Sequence, residues 1–262
     1  MVLWGLVLVA LLVTHLTSTG RFEARVASNE VSAAVATAAA DGAIHAAVFH
    51  LLDGDEARQW KTDGVAHPVA VGDANVSVQV WNDAGLINPN LAPPALLEAL
   101  FRTVGVPSQK ARDLAGAVAG WRDRSAQVPA SGSGEADYRA AGKAYGPPGE
   151  PIEDLDEMAR ILGMTPDVWQ AVKPHLSLWS PQEYPSADYA DPVVARAMSE
   201  AAPVVEKAQL AAGPPTLRRM TVTIRARAVA AGGATVVREA TLRVGPGFQK
   251  GFQVLSWDQT AD

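Results

Sequence analysis

The first twenty residues of the chain carry no charged side chain, and this feature constrains the fold more than any other. Residues 2–13 are almost wholly apolar, and the first charge is Arg21. Helical residues rise about 1.5 Å each, so such a segment is just long enough to cross a hydrocarbon core of about 30 Å. Residues 1–20 are therefore predicted to be a single membrane-spanning segment.

A secretory signal peptide is the alternative interpretation of this segment, since its apolar region is also short. No basic residue precedes the apolar run, and no clear small-x-small cleavage motif closes it, which favours an anchor. Residues 17–20 are nevertheless small, so cleavage stays open as an alternative.

The segment that follows the apolar run favours one continuous helix. Residues 21–52 contain no proline and no glycine pair, and eleven alanines lie between Ala24 and Ala47. Bulky apolar residues recur close to helical spacing, and Asp53-Gly54 ends the pattern. We predict a helix of about 50 residues, about 75 Å long, half in lipid and half outside. Two helices with a bend near Gly42 are the alternative.

Charge and motif content exclude several function classes. The chain has 22 Lys and Arg against 28 Asp and Glu, which argues against nucleic-acid binding because phosphates require a basic face. Cysteine is absent, so disulfides, thiolate metal sites and cysteine nucleophiles are excluded. The five histidines form no i, i+4 pair, and no nucleophile-elbow or phosphate-loop string occurs. We therefore predict a protein that is not an enzyme, with a membrane-anchored periplasmic enzyme as a remote alternative.

Alternating apolar and polar residues predict a small sheet that is split by a large insertion. Residues 68–71 and 74–81 predict two strands, and residues 218–229 and 235–244 predict a hairpin around Gly232-Gly233. The residues between these regions are typical of helix and loop. The predicted fold class is α+β, with a long N-terminal helix on a small antiparallel sheet and a large helical insertion domain.

The predicted domain organisation follows from these patterns. Residues 1–20 form the membrane part of the first helix, and residues 21–55 form its outer part. The sheet comprises residues 56–88 and 216–245, and the inserted helical domain comprises residues 89–180. Residues 181–215 form a connecting segment, and residues 246–262 form a C-terminal tail.

Two helical hairpins are predicted inside the insertion, with turns at Gly105-Val106-Pro107 and at Gly163-Met164-Thr165-Pro166. Each turn combines a glycine suited to a helix C-terminus with a proline suited to the first turn of the next helix. Helix-hairpin-helix modules that bind DNA have a second glycine in the turn, which lets backbone N–H groups approach a phosphate. Neither turn has it, so a membrane-anchored DNA-binding or DNA-uptake protein is kept only as the alternative function.

An acidic stretch lies between the two hairpins. Residues 123–157 hold eight acidic and three basic side chains among glycine-rich strings, which predicts loop rather than helix. Clustered carboxylates on such a loop supply the oxygen ligands that calcium prefers. The candidate ligands are Asp123, Glu135 and Asp137. The alternative is a solvated acidic loop followed by a helix whose first turn, residues 153–157, is acidic because of the helix dipole.

Four strings together resemble the minor pseudopilin K family of the type II secretion system, also called the general secretion pathway protein K family. They are LWGLVLVALLV near the start, WNDAGLINPN at 81–90, LAGAVAGWRD at 114–123 and GEADYRAAGKAYGPPGEPIEDLDEMARILGMTPDVW at 134–169. The resemblance implies a pilin-like fold and a role at the tip of the periplasmic pseudopilus in protein export. It implies minor pseudopilins I and J and the major pseudopilin as partners, and no nucleic acid.

The resemblance also bears on topology and on the metal. Arg21 and Arg25 after the span favour a cytoplasmic position for that end and Glu23 weakens the signal, so charge alone leaves orientation open. The family is inserted in the bacterial inner membrane by a single pass, with the N-terminus cytoplasmic and the bulk of the chain periplasmic. Its structural calcium lies in the helical domain, which supports Asp123, Glu135 and Asp137. Pseudopilin precursors begin with a basic leader that Met1-Val2-Leu3 does not match, so no cleavage or methylation site is carried over.

Overall fold

The computed structural model of the chain describes residues 2–55, 57–123, 134–201 and 220–260. The first element, α1, is one uninterrupted helix from Val2 to Leu51, as predicted. After Leu51, the Asp53 carboxylate accepts the Asp55 N–H at 3.0 Å and turns the chain out of the helix.

The sheet has five strands in the order β1-β2-β3-β4-β5 and is antiparallel. Strand β2 alternates buried valines with exposed polar residues, and this period of two is what a sheet with one covered face requires. Strands β1 and β2 pair antiparallel, with His67 opposite Val78 and Val71 opposite Ala74. The strands are β1 His67–Val71, β2 Ala74–Asn82, β3 Met220–Val229, β4 Thr235–Val244 and β5 Phe252–Thr260.

The chain divides into two compact units. The first comprises Met1–Val80, Ile224–Thr241 and Ser256–Asp262, and the second comprises Trp81–Thr223 and Leu242–Leu255. In the first unit α1 packs on the sheet. A Cβ at Gly42 would contact Val71 at 3.5 Å, so the residue suspected of bending the helix lies where α1 approaches β1.

The second unit is mainly helical, and its core is apolar. Helix α2 packs against both α3 and α6, and Phe101, Leu97 and Trp121 are among the buried side chains. The helices are α2 Pro94–Thr103, α3 Ser108–Arg122, α4 Glu135–Ala140, α5 Pro166–Val172 and α6 Pro192–Glu200. Short 3₁₀ helices lie at Asp83–Gly85, Leu155–Arg160 and Lys173–His175.

These elements confirm the predicted α+β fold class, with three local differences. The acidic stretch contains α4 instead of being all loop, because Asp137 caps its start and Tyr138 is buried. The first half of the second predicted hairpin is a 3₁₀ helix, Leu155–Arg160. The predicted C-terminal tail contains β5.

Candidate functional site

The surface of α1 is the first candidate for function, because its exposure to solvent changes along the helix. Ala36, Ala40, Ala43, Ile44 and Ala47 are fully buried at spacings of three and four residues, so this face packs on the sheet. By contrast, every residue from 25 to 31 is exposed.

The body of the first unit begins to cover the helix at Ser32. A Cβ at Gly232, in the turn between β3 and β4, would lie 2.0 Å from the Ser32 Oγ, so this turn packs directly on α1. The helix therefore extends beyond its own sheet on the N-terminal side of Ser32.

Helix α1 also carries three exposed apolar side chains on one side, which form a stripe. Val31 is 64% exposed, Val35 43% and Phe49 70%. Val31 and Phe49 are separated by about five helical turns, so they lie on the same side of the helix, with Val35 beside them. Exposed apolar side chains on one side of a helix make this stripe a candidate interaction site.

Within the described residues, the segment Arg25–Leu51 is long and apolar enough to cross a membrane by length and composition. Part of that segment is buried in the protein, as in the core helix of a soluble domain. The predicted span at residues 1–20 is helical from Val2 onward, and nearly all of its side chains lie outside the described ones. The helix is therefore compatible with a membrane anchor at residues 1–20, and the anchor itself stays a prediction.

A polar cluster attaches α1 to the last two strands. The Asp41 carboxylate accepts hydrogen bonds from Arg238 Nε at 2.8 Å and from Trp257 Nε1 at 3.0 Å. Partial burial raises the pKa of Asp41, but the hydrogen bonds from Arg238 and Trp257 outweigh it, and the pKa is lowered overall. This long-range cluster has no local sequence signal.

In the second unit, the WNDAGLINPN segment forms a network of buried polar contacts. Asn88 is 4% exposed, and its Nδ2 donates to the carbonyl oxygens of Leu178 and Ser180 at 3.0 and 2.8 Å. Asp83 is fully buried and accepts from Ser177 Oγ at 2.5 Å. The polar residues of this string thus hydrogen-bond to segments that are distant in sequence, which is a structural role.

The turn between α2 and α3 bears on the DNA-binding alternative. Gly105 has φ 96°, and its N–H donates to Arg102 O, while the Val106 N–H donates to Phe101 O, each at 2.9 Å. These N–H groups donate to carbonyl oxygens in the last turn of α2, so they are not available to a phosphate. The geometry disfavours the helix-hairpin-helix mode of DNA binding.

The predicted calcium ligands flank residues 124–133, which lie outside the described residues. Asp123 follows the last residue of α3, while Glu135 and Asp137 lie in the first turn of α4. Glu135 pairs with Arg139 at 2.8 Å, and Asp137 accepts the Gly134 N–H at 3.1 Å. Among the described residues, no group of three or more histidine, aspartate or glutamate side chains is arranged to hold a metal ion. The calcium site stays a prediction.

An aromatic cluster supports this acidic region. The rings of Trp121, Tyr138 and Tyr145 lie 5.9 to 6.4 Å apart, and the Tyr138 hydroxyl accepts the Leu162 N–H at 2.9 Å. Burial raises the pKa of Tyr138, so it stays a neutral phenol. The cluster joins α3, α4 and the residues beyond, and it fixes the backbone on both sides of the undescribed segment.

Comparisons with known proteins give two similarities. The family model of type II secretion system (T2SS) protein K matches residues 75–181. A chain of the crystal structure of the GspK-GspI-GspJ complex from the enterotoxigenic Escherichia coli Type 2 Secretion System has the same fold. Its TM-score is 0.62 at 15% identity, over 93% of this chain and 100% of that one. No curated protein matches the chain.

Proposed function

We propose that the chain is a minor pseudopilin that caps the tip of the periplasmic pseudopilus, because residues 75–181 match the family model of type II secretion system protein K. The predicted resemblance to the protein K family is confirmed over these residues. In this role the chain is a structural component of protein export and not an enzyme.

The observation that carries the proposal is the division of α1 at Ser32. Residues 2–31 are helical and precede the contact with Gly232, which leaves about 45 Å of helix beyond the body. That length exceeds the hydrocarbon core of about 30 Å, so the helix can cross the inner membrane and still separate the body from it.

Assembly would exchange lipid for protein around this helix. Lipid holds apolar side chains by about 0.8 kcal/mol per buried CH₂ group, so extraction requires an equally apolar environment. The stripe of Val31, Val35 and Phe49 provides a surface for the helices of other pseudopilins. The alanine-rich sequence of α1 lets neighbouring helices approach closely, as small residues do between membrane helices.

The inserted helical unit supports the capping role. Strands β2 and β3 are neighbours in the sheet, yet residues 83–219 separate them in sequence. A subunit that carries so much additional mass on a pilin-like sheet would obstruct addition of another subunit above it. The partners we propose are minor pseudopilins I and J, which occur with protein K in the similar crystal structure, and the major pseudopilin.

The assembly role is tested by replacing the stripe. Val35→Ser and Phe49→Ser should each weaken co-purification with pseudopilins I and J and reduce secretion, because both remove exposed apolar area from α1. Val65→Ser removes a similarly exposed apolar side chain, 58% exposed and outside the helix, and serves as the matched control. Equal effects in all three variants would contradict the helix-packing mechanism.

The capping role requires a separate experiment. Replacing residues 89–180 by a short glycine-serine linker should abolish secretion and lengthen the pseudopilus, with inner-membrane insertion as the control measurement. Unchanged pilus length and secretion would refute capping while leaving the protein K similarity intact.

Calcium is proposed as a structural ligand of the acidic region, held by Asp123, Glu135 and Asp137. All three supply carboxylate oxygens, which is the donor chemistry that calcium prefers. The ion pair of Glu135 with Arg139 is solvent-exposed and therefore weak, so an ion can displace it. Calcium, but not magnesium, should raise the thermal midpoint of the full chain. Asp123→Asn combined with Glu135→Gln should abolish that shift, and the exposed control Glu150→Gln should not.

A further inference from the structure

One asparagine of the chain lies in an acceptor motif for N-linked glycosylation. The motif is Asn-x-Ser/Thr, where x is not proline, and it is typical of surface sites on exported proteins. Asn75-Val76-Ser77 has this pattern. The other asparagines of the sequence lack a serine or threonine two residues later, and they are Asn29, Asn82, Asn88 and Asn90. The sequence therefore offers one acceptor candidate.

Asn75 lies beside the turn at the tip of a hairpin. Strands β1 and β2 are joined by Gly72-Asp73, and Val71 pairs with Ala74 across this turn. Gly72 has φ 57°, which is the left-handed conformation that a tight hairpin turn of this kind requires. Asn75 is the second residue of β2, and its side chain is exposed. Exposed tips are among the most accessible points of a fold.

The amide and the hydroxyl of the motif lie on the same exposed face of the sheet. Side chains alternate along β2 between buried and exposed, and both Asn75 and Ser77 belong to the exposed set. Their neighbours across the ladder on β1 are Ala70 and Pro68, which are also exposed and are too short to cover the Asn75 amide. The face therefore has room for a bulky substituent on Asn75.

The order in which the sheet forms also favours modification. Strands β1 and β2 make a local hairpin, and an isolated two-stranded hairpin is at best marginally stable in water. The strand on the other side of β2 is β3, which begins at Met220, after residues 83–219. Pairing across such a separation is slow, because a long loop must close before the contacts form. Until β3 pairs, the acceptor segment can still open and enter the site of an enzyme.

We propose that Asn75 is an N-glycosylation acceptor, modified by a transferase that uses an oligosaccharide linked to a lipid diphosphate. This inference rests on the proposed function, because the pseudopilin role puts β2 in the periplasm. Asn75 Nδ2 forms a bond to the anomeric carbon of the sugar, while the bond from that carbon to the diphosphate oxygen breaks. The lipid diphosphate leaves with the electron pair, the amide loses one proton to the medium, and no atom is oxidised or reduced. The glycan would cover the exposed face of the β1–β2 hairpin.

The experiment expresses the full chain in a bacterial host that supplies a periplasmic oligosaccharyltransferase and its lipid-linked donor. Intact mass spectrometry should show one added glycan, and peptide mapping should locate it on Asn75. Asn75→Gln and Ser77→Ala should each abolish the added mass, whereas Ser77→Thr keeps the hydroxyl and should retain it. The control Asn29→Gln removes an exposed asparagine outside the motif and should also retain the added mass.

Protease treatment of spheroplasts, measured in parallel, separates failure of the acceptor assignment from failure of the pseudopilin role. A chain that is digested from the periplasmic side but carries no glycan would overturn the acceptor assignment alone. Complete protection from the protease would contradict the periplasmic location, and both proposals would then fail. Added mass that persists in Asn75→Gln would also overturn the assignment, because the glycan would then lie on another residue.

Discussion

Asn88 offers the sharpest quantitative test of how the helical unit is held together. Its side chain makes three hydrogen bonds: it donates to the carbonyls of Leu178 and Ser180 and accepts the Asn90 N–H at 2.9 Å. At about 1 kcal/mol for each bond, Asn88→Ala should cost about 3 kcal/mol. Asn88→Asp should cost more, because a buried carboxylate would face two carbonyl oxygens with no donor to offset it.

The assay is amide hydrogen exchange at the backbone pairs that Asn88 supports. The Ile87 N–H donates to His175 O, and the Ser177 N–H donates to Ile87 O, each at 3.0 Å. A loss of about 3 kcal/mol corresponds to about a hundredfold faster exchange if these amides open with the unit. The control Asn75→Ala changes an exposed asparagine on β2 and should leave exchange unchanged. If Asn88→Ala matched this control, the assignment of Asn88 as a structural fastener would be wrong.

Three further predictions follow from single contacts. The pKa of the Asp41 carboxyl is lowered from its usual 3.8, so this group stabilises the fold above pH 3.8, and the stabilisation is lost as the pH falls through the lowered pKa. Asp41→Asn or Arg238→Gln should therefore flatten the acidic side of a curve of unfolding free energy against pH. Gly85→Ala should destabilise the chain by about 1–3 kcal/mol in urea unfolding, because its Cβ would lie 2.1 Å from the backbone oxygen of Tyr189; an unchanged midpoint would contradict that packing. Phe101→Ala should cost about 3–5 kcal/mol in the same assay, since the ring is fully buried, and a cost below about 1 kcal/mol would refute its place in the core.

Several elements could be predicted because their signal is local. The continuous α1 follows from alanine content without a helix breaker, and β2 follows from its alternating valines, since each pattern reports one covered face. The strand β5 is different, because Trp257 within it bonds to Asp41 of α1 and its neighbour in the sheet is β4. Helix α4 was missed for a similar reason: its stability depends on Tyr138 being buried against distant rings.

The sequence by itself determined the helical stem, the alternating strands, the insertion between them and the similarity to protein K, because periodicity and motif strings are properties of neighbouring residues. The tertiary structure alone decided where α1 leaves the sheet at Ser32, which carbonyls Asn88 fastens, and that His50 and His67 stack on Trp60. Such contacts join residues that are distant in sequence. They form only when the chain has closed the loops between them, so no local pattern encodes them.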